Sequence, residues 1–121
     1  MRVMITDDSP MIHKLLKKMV EEAGHEVCFI AENGKEAVEN VLKVNPDLIF
    51  MDITMPVMEG IEAVKKIREM NVNVPVVFLS ALGDDKTINS TKSLGIAGFL
   101  TKPFRKEDLF NLLKKVEGEN A

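Results

Sequence analysis

The sequence predicts an α/β fold in which a five-stranded parallel sheet is covered by helices on both faces. Five short apolar runs alternate with longer segments of helical period, which is the pattern of repeated βα units. Two of the runs, 48–51 and 76–79, are apolar throughout, as expected for central strands buried on both sides. The length of 121 residues suits one domain, 1–121, and is about half of what an eight-fold barrel needs. A doubly wound sheet is therefore the expected packing.

The predicted strands are short apolar runs that are bounded by turn residues. They are residues 3–6, 26–31, 48–51, 76–79 and 98–101. The Asn33-Gly34 turn closes the second strand, and Pro75 leads into the fourth. Each pair of successive strands is separated by a segment that is long enough for a helical crossover.

The first two predicted helices are delimited by capping residues. Ser9 is expected at the N-cap with Pro10 at the first helical position, and Gly24 ends the first helix. The second helix, 35–44, stops at Asn45-Pro46 because a residue before proline disfavours helical backbone. The residues predicted to face inward from these helices are Ile12, Leu15, Leu16, Met19 and Ala23, followed by Val38, Val41 and Leu42.

The last three predicted helices differ in the strength of their apolar stripe. Helix 60–70 and the closing helix 106–116 both have well-spaced apolar residues, whereas helix 84–94 has few beyond Ile88 and Leu94. Helix 84–94 is therefore expected to be a mobile element with little packing to lose. The residues predicted to face inward from the two stronger helices are Ile61, Val64, Ile67, Leu109, Leu112, Leu113 and Val116.

Composition excludes several classes of protein. The net charge of −3 gives no reason to expect direct binding to nucleic acid, and no apolar window approaches the roughly 18 residues of a membrane span. Without a signal peptide, we expect a cytoplasmic protein, and we expect it to be a monomer. The single cysteine, Cys28, cannot form an internal disulfide and is expected in the core. His13 and His25 lack metal-like spacing and are expected at the surface.

Charged residues follow three of the predicted strands. Asp7 and Asp8 come after the first strand, Asp52 after the third and Lys102 after the fifth. Because the carboxyl ends of parallel strands lie along one edge of a sheet, these side chains should meet in one cleft. Three carboxylates that lie together repel one another unless a cation is present. Oxygen ligands suit Mg²⁺, which often also binds a substrate phosphate, so the sequence predicts a site that handles phosphoryl groups.

Several stretches around these residues share their order and spacing with one family. They are Ile5-Thr6-Asp7-Asp8-Ser9, Glu32-Asn33-Gly34-Lys35-Glu36-Ala37, Asn45-Pro46-Asp47-Leu48-Ile49, residues 51–60, Leu79-Ser80-Ala81 and Thr101-Lys102-Pro103-Phe104. Together they resemble the receiver domains of two-component response regulators, the CheY-like family, over the whole chain. The resemblance implies a flavodoxin-like (βα)5 fold with strand order 2-1-3-4-5.

The resemblance also implies a role for individual residues. Asp52 corresponds to the phosphoacceptor, and Lys102 to the lysine that pairs with the phosphoryl group. Asp8 corresponds to a direct ligand of Mg²⁺, Asp7 to one that acts largely through water, and the backbone carbonyl of Thr54 to a further ligand. The remaining implied features are the switch hydroxyl of Ser80, the switch aromatic ring of Phe99 and a cis Lys102–Pro103 peptide bond.

The implied function is that of a signalling switch rather than a metabolic enzyme, since the chain would catalyse only its own phosphorylation and dephosphorylation. A histidine kinase or a phosphotransfer protein would donate the phosphoryl group. A protein target would bind the face formed by helix 84–94, strand 98–101 and helix 106–116. Because the chain begins at Met1 and ends just after the last helix, we expect a stand-alone chemotaxis-type regulator. A phosphorelay intermediate and a domain excised from a larger regulator are the alternatives.

Several further features of the sequence refine these expectations. Ser80 keeps the hydroxyl of the commoner threonine, whereas Phe99 lacks a tyrosine hydroxyl that partners could read. Leu82 has no polar group to orient an attacking water, which predicts a long-lived phosphoryl group. In the family the first helix helps to dock the kinase, and its exposed face carries Lys14, Lys17 and Lys18. A mildly basic target face is predicted from Lys86, Lys92, Arg105 and Lys106.

Two other classes of protein share parts of this pattern. A flavodoxin-like electron carrier needs a Ser/Thr-rich phosphate loop after the first strand, but this loop contains Asp7-Asp8, and the chain has no Trp or Tyr to sandwich a flavin. A phosphatase of the haloacid dehalogenase type needs an Asp-x-Asp-x-Thr motif after its first strand and usually has a cap domain. Neither feature is visible in the sequence.

Overall fold

The five strands form one parallel sheet in the order β2-β1-β3-β4-β5, which confirms the predicted order. A computed structural model of the chain describes residues 1–81 and 91–120. Its strands are β1 (Arg2–Thr6), β2 (Glu26–Ala31), β3 (Leu48–Asp52), β4 (Val76–Ser80) and β5 (Gly98–Thr101). The α-helices of this part of the chain are α1 (Pro10–Glu22), α2 (Gly34–Val44), α3 (Gly60–Glu69) and α4 (Lys106–Asn120).

The sheet separates two apolar cores. Alternate residues of each strand face opposite sides, so Met4 packs with α2 and α3 whereas Val3 and Ile5 pack with α1 and α4. The central strands β3 and β4 are buried at every position, as their apolar sequence predicts. The doubly wound architecture therefore follows directly from the burial pattern.

The helix caps predicted from the sequence are present. The Oγ atom of Ser9 accepts a hydrogen bond from the backbone N of Ile12 at 3.4 Å, and Pro10 occupies the first turn of α1. The side chain of Asn33 caps α2 in the same way, accepting from the backbone N of Glu36 at 2.9 Å. These bonds satisfy amide groups that have no partner within the helix.

Two residues predicted to face the core are instead exposed. Leu15 on α1 and Leu42 on α2 have exposed fractions of 39% and 65%. Both adjoin a buried residue in the sequence, Leu16 and Val41 respectively, and a rotation of about 100° per residue moves a neighbour off the buried stripe. The inward positions that the pattern missed include Val20, which is fully buried on α1.

The predicted helix 84–94 can be compared with the structure only at its end. Residues 84–90, which include Lys86, lie outside the described residues, and so does Leu82. Lys92–Leu94 form a 3-10 turn rather than an α-helix, and Gly95 follows with a φ of 70°. The guanidinium of Arg68 binds this turn by donating from Nε to the carbonyl of Leu94 at 2.8 Å, which connects α3 to the segment before β5.

The prediction that both histidines lie at the surface is wrong for His25. Its side chain is only 8% exposed, and its Nε2 atom lies 3.7 Å from a carboxylate oxygen of Glu117. Its Nδ1 atom lies 2.7 Å from the amino group of Met1. The side chain therefore joins the start of β1 to the end of α4. No helix within residues 1–81 and 91–120 is long and apolar enough to cross a membrane.

Cys28 is partly buried rather than fully in the core. It packs against the apolar cluster beneath α2 and α3. Burial raises the pKa of its thiol, which keeps the group protonated and unreactive at neutral pH.

Candidate functional site

The register of the sheet brings the predicted site residues to one edge. Thr6 pairs with Met51 across β1 and β3, and Ser80 pairs with Thr101 across β4 and β5. The residues that follow these pairs therefore emerge close together. Carboxylate oxygens of Asp7, Asp8 and Asp52 all lie within 4.8 Å of one another, as the sequence predicts.

Asp7 is the most tightly held of the three acids. Its backbone N donates to the carbonyl of Ala31 at 3.1 Å. Its Oδ1 atom accepts from the backbone N of Ser9 at 2.9 Å, and its Oδ2 atom accepts from Nζ of Lys102 at 3.0 Å. The residue is fully buried, whereas Asp8 beside it is exposed. The pair therefore places one fixed carboxylate beside one that solvent can reach.

Asp52 is buried at the end of β3, with 6% of its surface exposed. Its Oδ1 atom accepts from the backbone N of Thr54 at 3.2 Å, and its Oδ2 atom accepts from Nζ of Lys102 at 3.2 Å. Burial and the nearby charge of Asp7 raise the pKa of Asp52, although the contacts with Lys102 and Thr54 oppose this. The ionised carboxylate is therefore short of compensating positive charge.

Lys102 supplies one ammonium group to two carboxylates. Its backbone N donates to the carbonyl of Ser80 at 2.7 Å, which ties the loop after β5 to β4. Burial disfavours the charged ammonium, but the bonds and charges of Asp7 and Asp52 outweigh it, so the pKa of Lys102 is raised. The Lys102–Pro103 peptide bond is cis, as the resemblance implies.

The donor set of this site fits Mg²⁺. Three carboxylates and one ammonium leave a formal charge of −2 in a cluster that spans less than 4.8 Å between ligand oxygens. All candidate ligands are oxygen atoms, which Mg²⁺ prefers, and the exposed side of Asp8 leaves room for the waters that this ion retains. The raised pKa of Asp52 indicates that an added cation would stabilise the ionised cluster.

Ser80 and Phe99 lie on the same face of the sheet. Phe78 pairs with Phe99 in the register, and Ser80 lies two residues after Phe78 on β4. The rings of Phe78 and Phe99 are stacked with their centroids 6.0 Å apart. Ser80 is buried, and its Oγ atom has no hydrogen-bond partner among residues 1–81 and 91–120. A buried hydroxyl without a partner is costly, so Ser80 is ready to bond an acceptor that enters the cleft.

Gly60 has a structural role at the site that its place in the matched stretch 51–60 does not reveal. Its backbone N donates to the carbonyl of Ile53 at 2.8 Å, so α3 begins directly against the end of β3. A Cβ atom at this position would overlap the backbone of Asp52. Only glycine therefore allows this approach.

His13 is a second residue whose place the sequence did not reveal. It lies on the first turns of α1, is half-buried, and its Nε2 atom bonds the backbone carbonyl of Asp7. The predicted surface position of His13 is therefore met only in part, because its side chain is half-buried. Its spacing of six residues from Asp7 gives no recognisable signal, because the bond depends on where α1 begins.

The lysines of α1 and of the predicted target face have different surroundings. Lys14, Lys17 and Lys18 are exposed on α1, as predicted. Lys106 is paired with Glu22, and Nε of Arg105 lies 3.5 Å from Asp108. These pairs reduce the basic character predicted for the target face, for which Lys86 and the side chain of Lys92 lie outside the part of the chain described.

Comparisons with known proteins find similar sequences and a similar fold. The family model of the response regulator receiver domain matches residues 3–114. The chemotaxis protein CheY of Thermotoga maritima is 38% identical over 115 residues, which cover 95% of this chain and 96% of that protein. A protein-glutamate methylesterase/protein-glutamine glutaminase of Archaeoglobus fulgidus is 43% identical over 106 residues, covering 85% of this chain but 30% of that protein. The structure of CheY4 from Vibrio cholerae matches with a TM-score of 0.84 and 32% identity, over 95% of this chain and 97% of that one.

Proposed function

The chain belongs to the response regulator receiver domain family, and on this basis we propose that it is a phosphorylation-controlled switch in which Asp52 is the phosphoacceptor. In this proposal residues 1–121 act as a single receiver domain. The observation that carries the proposal is the arrangement of Asp52 and Asp7 around the shared ammonium of Lys102, with Nζ–O distances of 3.2 and 3.0 Å. Such a cluster suits a phosphoryl group that is bound together with a cation held by these carboxylates.

The proposed reaction transfers a phosphoryl group from a phosphohistidine. A carboxylate oxygen of Asp52 attacks phosphorus, the P–N bond of the donor breaks, and the released imidazole nitrogen takes up a proton. Mg²⁺, held by Asp7, Asp8, Asp52 and the backbone carbonyl of Thr54, would neutralise charge on the phosphoryl oxygens. The backbone N of Thr54 holds Oδ1 of Asp52 at 3.2 Å, which leaves the carboxylate fixed in orientation for the attack.

Lys102 and Ser80 act on the product in this proposal. The ammonium of Lys102 already bonds the carboxylate that becomes phosphorylated, and it follows the new negative charge onto the phosphoryl oxygens. The unpartnered hydroxyl of Ser80 then donates to a phosphoryl oxygen. Movement of Ser80 vacates space on the face of the sheet that it shares with Phe99, and the ring of Phe99 moves inward.

The signal is proposed to leave through the face that includes β5 and α4. Phe99 is on β5, so its rotation changes the surface beside α4. A complete shift between the two states, from 1:99 to 99:1, needs a difference of about 5.5 kcal/mol in their stabilisation. A protein target that binds the shifted surface would supply part of that difference.

The proposed donor is a histidine kinase or a phosphotransfer protein, and the proposed pathway is chemotaxis. Relatives named as chemotaxis protein CheY match along nearly their full length, which supports a stand-alone regulator. A phosphorelay intermediate and a domain of a larger regulator are the alternatives. The second of these is supported by the methylesterase relative, of which the chain covers only 30%. The proposal also includes slow hydrolysis of the phosphoryl group on Asp52, because Leu82 has no polar group to orient an attacking water.

Phosphotransfer from a purified histidine kinase tests this function. The kinase is first phosphorylated with radiolabelled ATP and separated from the nucleotide, and label is then followed onto this chain with and without Mg²⁺. We expect transfer within minutes that needs Mg²⁺ and Asp52. Failure to accept label from several kinases and from small phosphodonors would contradict the proposal. Replacement of Leu82 by Glu should shorten the lifetime of the label.

A further inference from the structure

Among the residues of α1, His13 has a side chain that bonds the backbone of the acidic pair, Asp7 and Asp8. The Nε2 atom of His13 bonds the carbonyl oxygen of Asp7. A carbonyl can only accept, so Nε2 carries the proton and donates it. The carbonyl belongs to the peptide unit between Asp7 and Asp8, so the imidazole fixes the orientation of that peptide.

Asp8 is bracketed by this bond and a second one. On its C-terminal side, the backbone N of Ser9 donates to Oδ1 of Asp7 at 2.9 Å. On its N-terminal side, the Asp7–Asp8 peptide is held by His13. Asp8 itself is exposed, so its position depends on the backbone on either side rather than on burial of its own side chain.

Asp7 needs this support less than Asp8 does. The carboxylate of Asp7 is held by Ser9 and Lys102, its backbone N by Ala31, and the residue is fully buried. Loss of the His13 bond would therefore leave Asp7 in place and release the peptide that leads into Asp8. The affected property would be the geometry of the exposed carboxylate.

We propose that His13 is a positioning residue for the metal site, which holds the Asp7–Asp8 peptide so that the carboxylate of Asp8 faces Asp7 and Asp52. This inference rests on the proposed magnesium-dependent function. Groups that orient a metal ligand commonly change metal affinity by about 10- to 100-fold when they are lost. Because His13 acts on the backbone of the ligand rather than on its carboxylate, we expect an effect near the lower end of that range.

The test compares Mg²⁺ affinity with thermal stability in four proteins. Isothermal titration calorimetry gives the Kd for Mg²⁺ of wild type, His13→Leu, His13→Gln and His25→Leu, and calorimetric melting gives their Tm. Leucine fills space without a donor, whereas the amide nitrogen of glutamine can donate to the Asp7 carbonyl. His25 is remote from the site and nearly buried, so His25→Leu controls for loss of stability alone.

We expect His13→Leu to raise the Kd for Mg²⁺ about 10-fold, His13→Gln to restore most of the affinity, and His25→Leu to lower Tm without changing the Kd. A Kd for His13→Leu within twofold of wild type would overturn the inference. So would an equal loss in His13→Gln. Absence of Mg²⁺ binding by wild type would instead contradict the proposed function. If His13→Leu does not fold, His13→Asn, whose side chain is too short for the bond, takes its place.

The ring nitrogens of His13 provide a readout on the wild-type protein. Their ¹⁵N chemical shifts distinguish a protonated from an unprotonated nitrogen. We expect Nε2 to carry a proton whether or not Nδ1 also does. A neutral ring with the proton on Nδ1 alone would contradict the bond to Asp7 and with it the inference.

Discussion

A Cβ atom built on Gly60 would lie 2.1 Å from the backbone oxygen of Asp52. The first turn of α3 therefore touches the backbone of the proposed phosphoacceptor, with no space for a side chain between them. Together with the hydrogen bond from the backbone N of Gly60 to the carbonyl of Ile53, this contact ties the start of α3 to the end of β3. Asp52 itself is therefore the last residue of a strand whose end is packed against a helix.

The first prediction follows from this contact. Gly60→Ala should destabilise the protein by about 3 kcal/mol, since the added methyl group must displace backbone rather than a flexible side chain. Gly118→Ala is the matched control, because nothing lies within 4 Å of a Cβ atom at Gly118 on α4, and it should stabilise the helix by about 0.5–1 kcal/mol. Urea denaturation measures both. Equal effects of the two substitutions would contradict the close approach of α3 to β3.

The second prediction concerns the charge of Asp52. Without Mg²⁺, Asp52→Asn should stabilise the protein by about 1 kcal/mol, or about 4 °C in Tm, because it removes a buried carboxylate that Asp7 repels. The pKa of Asp52 in the folded protein is raised above its ordinary value of 3.8. The folded state therefore binds this proton more tightly than the unfolded state does, and ionisation of Asp52 reduces stability as the pH rises.

The pH dependence of this difference provides the measurement. The advantage of Asp52→Asn should be complete above the raised pKa, shrink as the pH falls through it, and be lost below the ordinary value. Thermal melts of both proteins between neutral and acidic pH give the comparison. An advantage that grows on acidification would show that the pKa of Asp52 is lowered instead.

The third prediction concerns the shared ammonium. Lys102→Met keeps much of the apolar stem but leaves Asp7 and Asp52 without their common donor, so it should cost about 1.5–3 kcal/mol in the absence of Mg²⁺. Saturating Mg²⁺ should stabilise this variant more than wild type. In wild type the ion adds to the positive charge of Lys102, whereas in the variant it replaces that charge beside Asp7 and Asp52. Urea denaturation with Mg²⁺ or with EDTA measures both effects.

Lys106 offers a matched control for this experiment. It is also a lysine paired with a carboxylate, that of Glu22, but both partners are exposed to solvent. Lys106→Met should therefore cost less than about 1 kcal/mol and should not respond to Mg²⁺. If the two methionine variants behaved alike, the buried cluster would have no special dependence on Lys102.

The fourth prediction separates phosphorylation from switching. Ser80→Ala removes a buried hydroxyl that has no partner among the described residues, so it should leave stability unchanged within about 0.5 kcal/mol or raise it. Asp52 should still become phosphorylated, but the ring of Phe99 should not shift. NMR spectra of methyl and aromatic groups around Phe99, recorded with and without phosphodonor, measure this. A full response of Phe99 in Ser80→Ala would remove Ser80 from the switch.

The strands and the meeting of the charged residues could be predicted from the sequence. Strands 26–31 and 98–101 match the structure at both ends, because short apolar runs bounded by turn residues have few alternatives. The clustering of Asp7, Asp8, Asp52 and Lys102 follows from one rule, that parallel strands end at the same edge. No side-chain geometry is needed to apply that rule.

The features that the sequence did not predict depend on tertiary geometry. Apolar periodicity could not separate Leu42 from Val41, because adjacent residues both fit a stripe of three- and four-residue spacing. The bond from His13 to Asp7 depends on the angle at which α1 leaves the loop. The requirement for glycine at position 60 depends on how closely α3 approaches β3. Each of these involves distances between elements that the sequence pattern does not specify.

The central claim is that Asp52 accepts the phosphoryl group, and intact mass spectrometry tests it most directly. Wild type and Asp52→Asn are incubated with acetyl phosphate in the presence of Mg²⁺ or of EDTA. We expect a mass gain of about 80 Da, one phosphoryl group, in wild type with Mg²⁺ and in none of the other three samples. An equal gain in Asp52→Asn would place the acceptor elsewhere. No gain in wild type with acetyl phosphate or with a phosphorylated histidine kinase would contradict the account of the site.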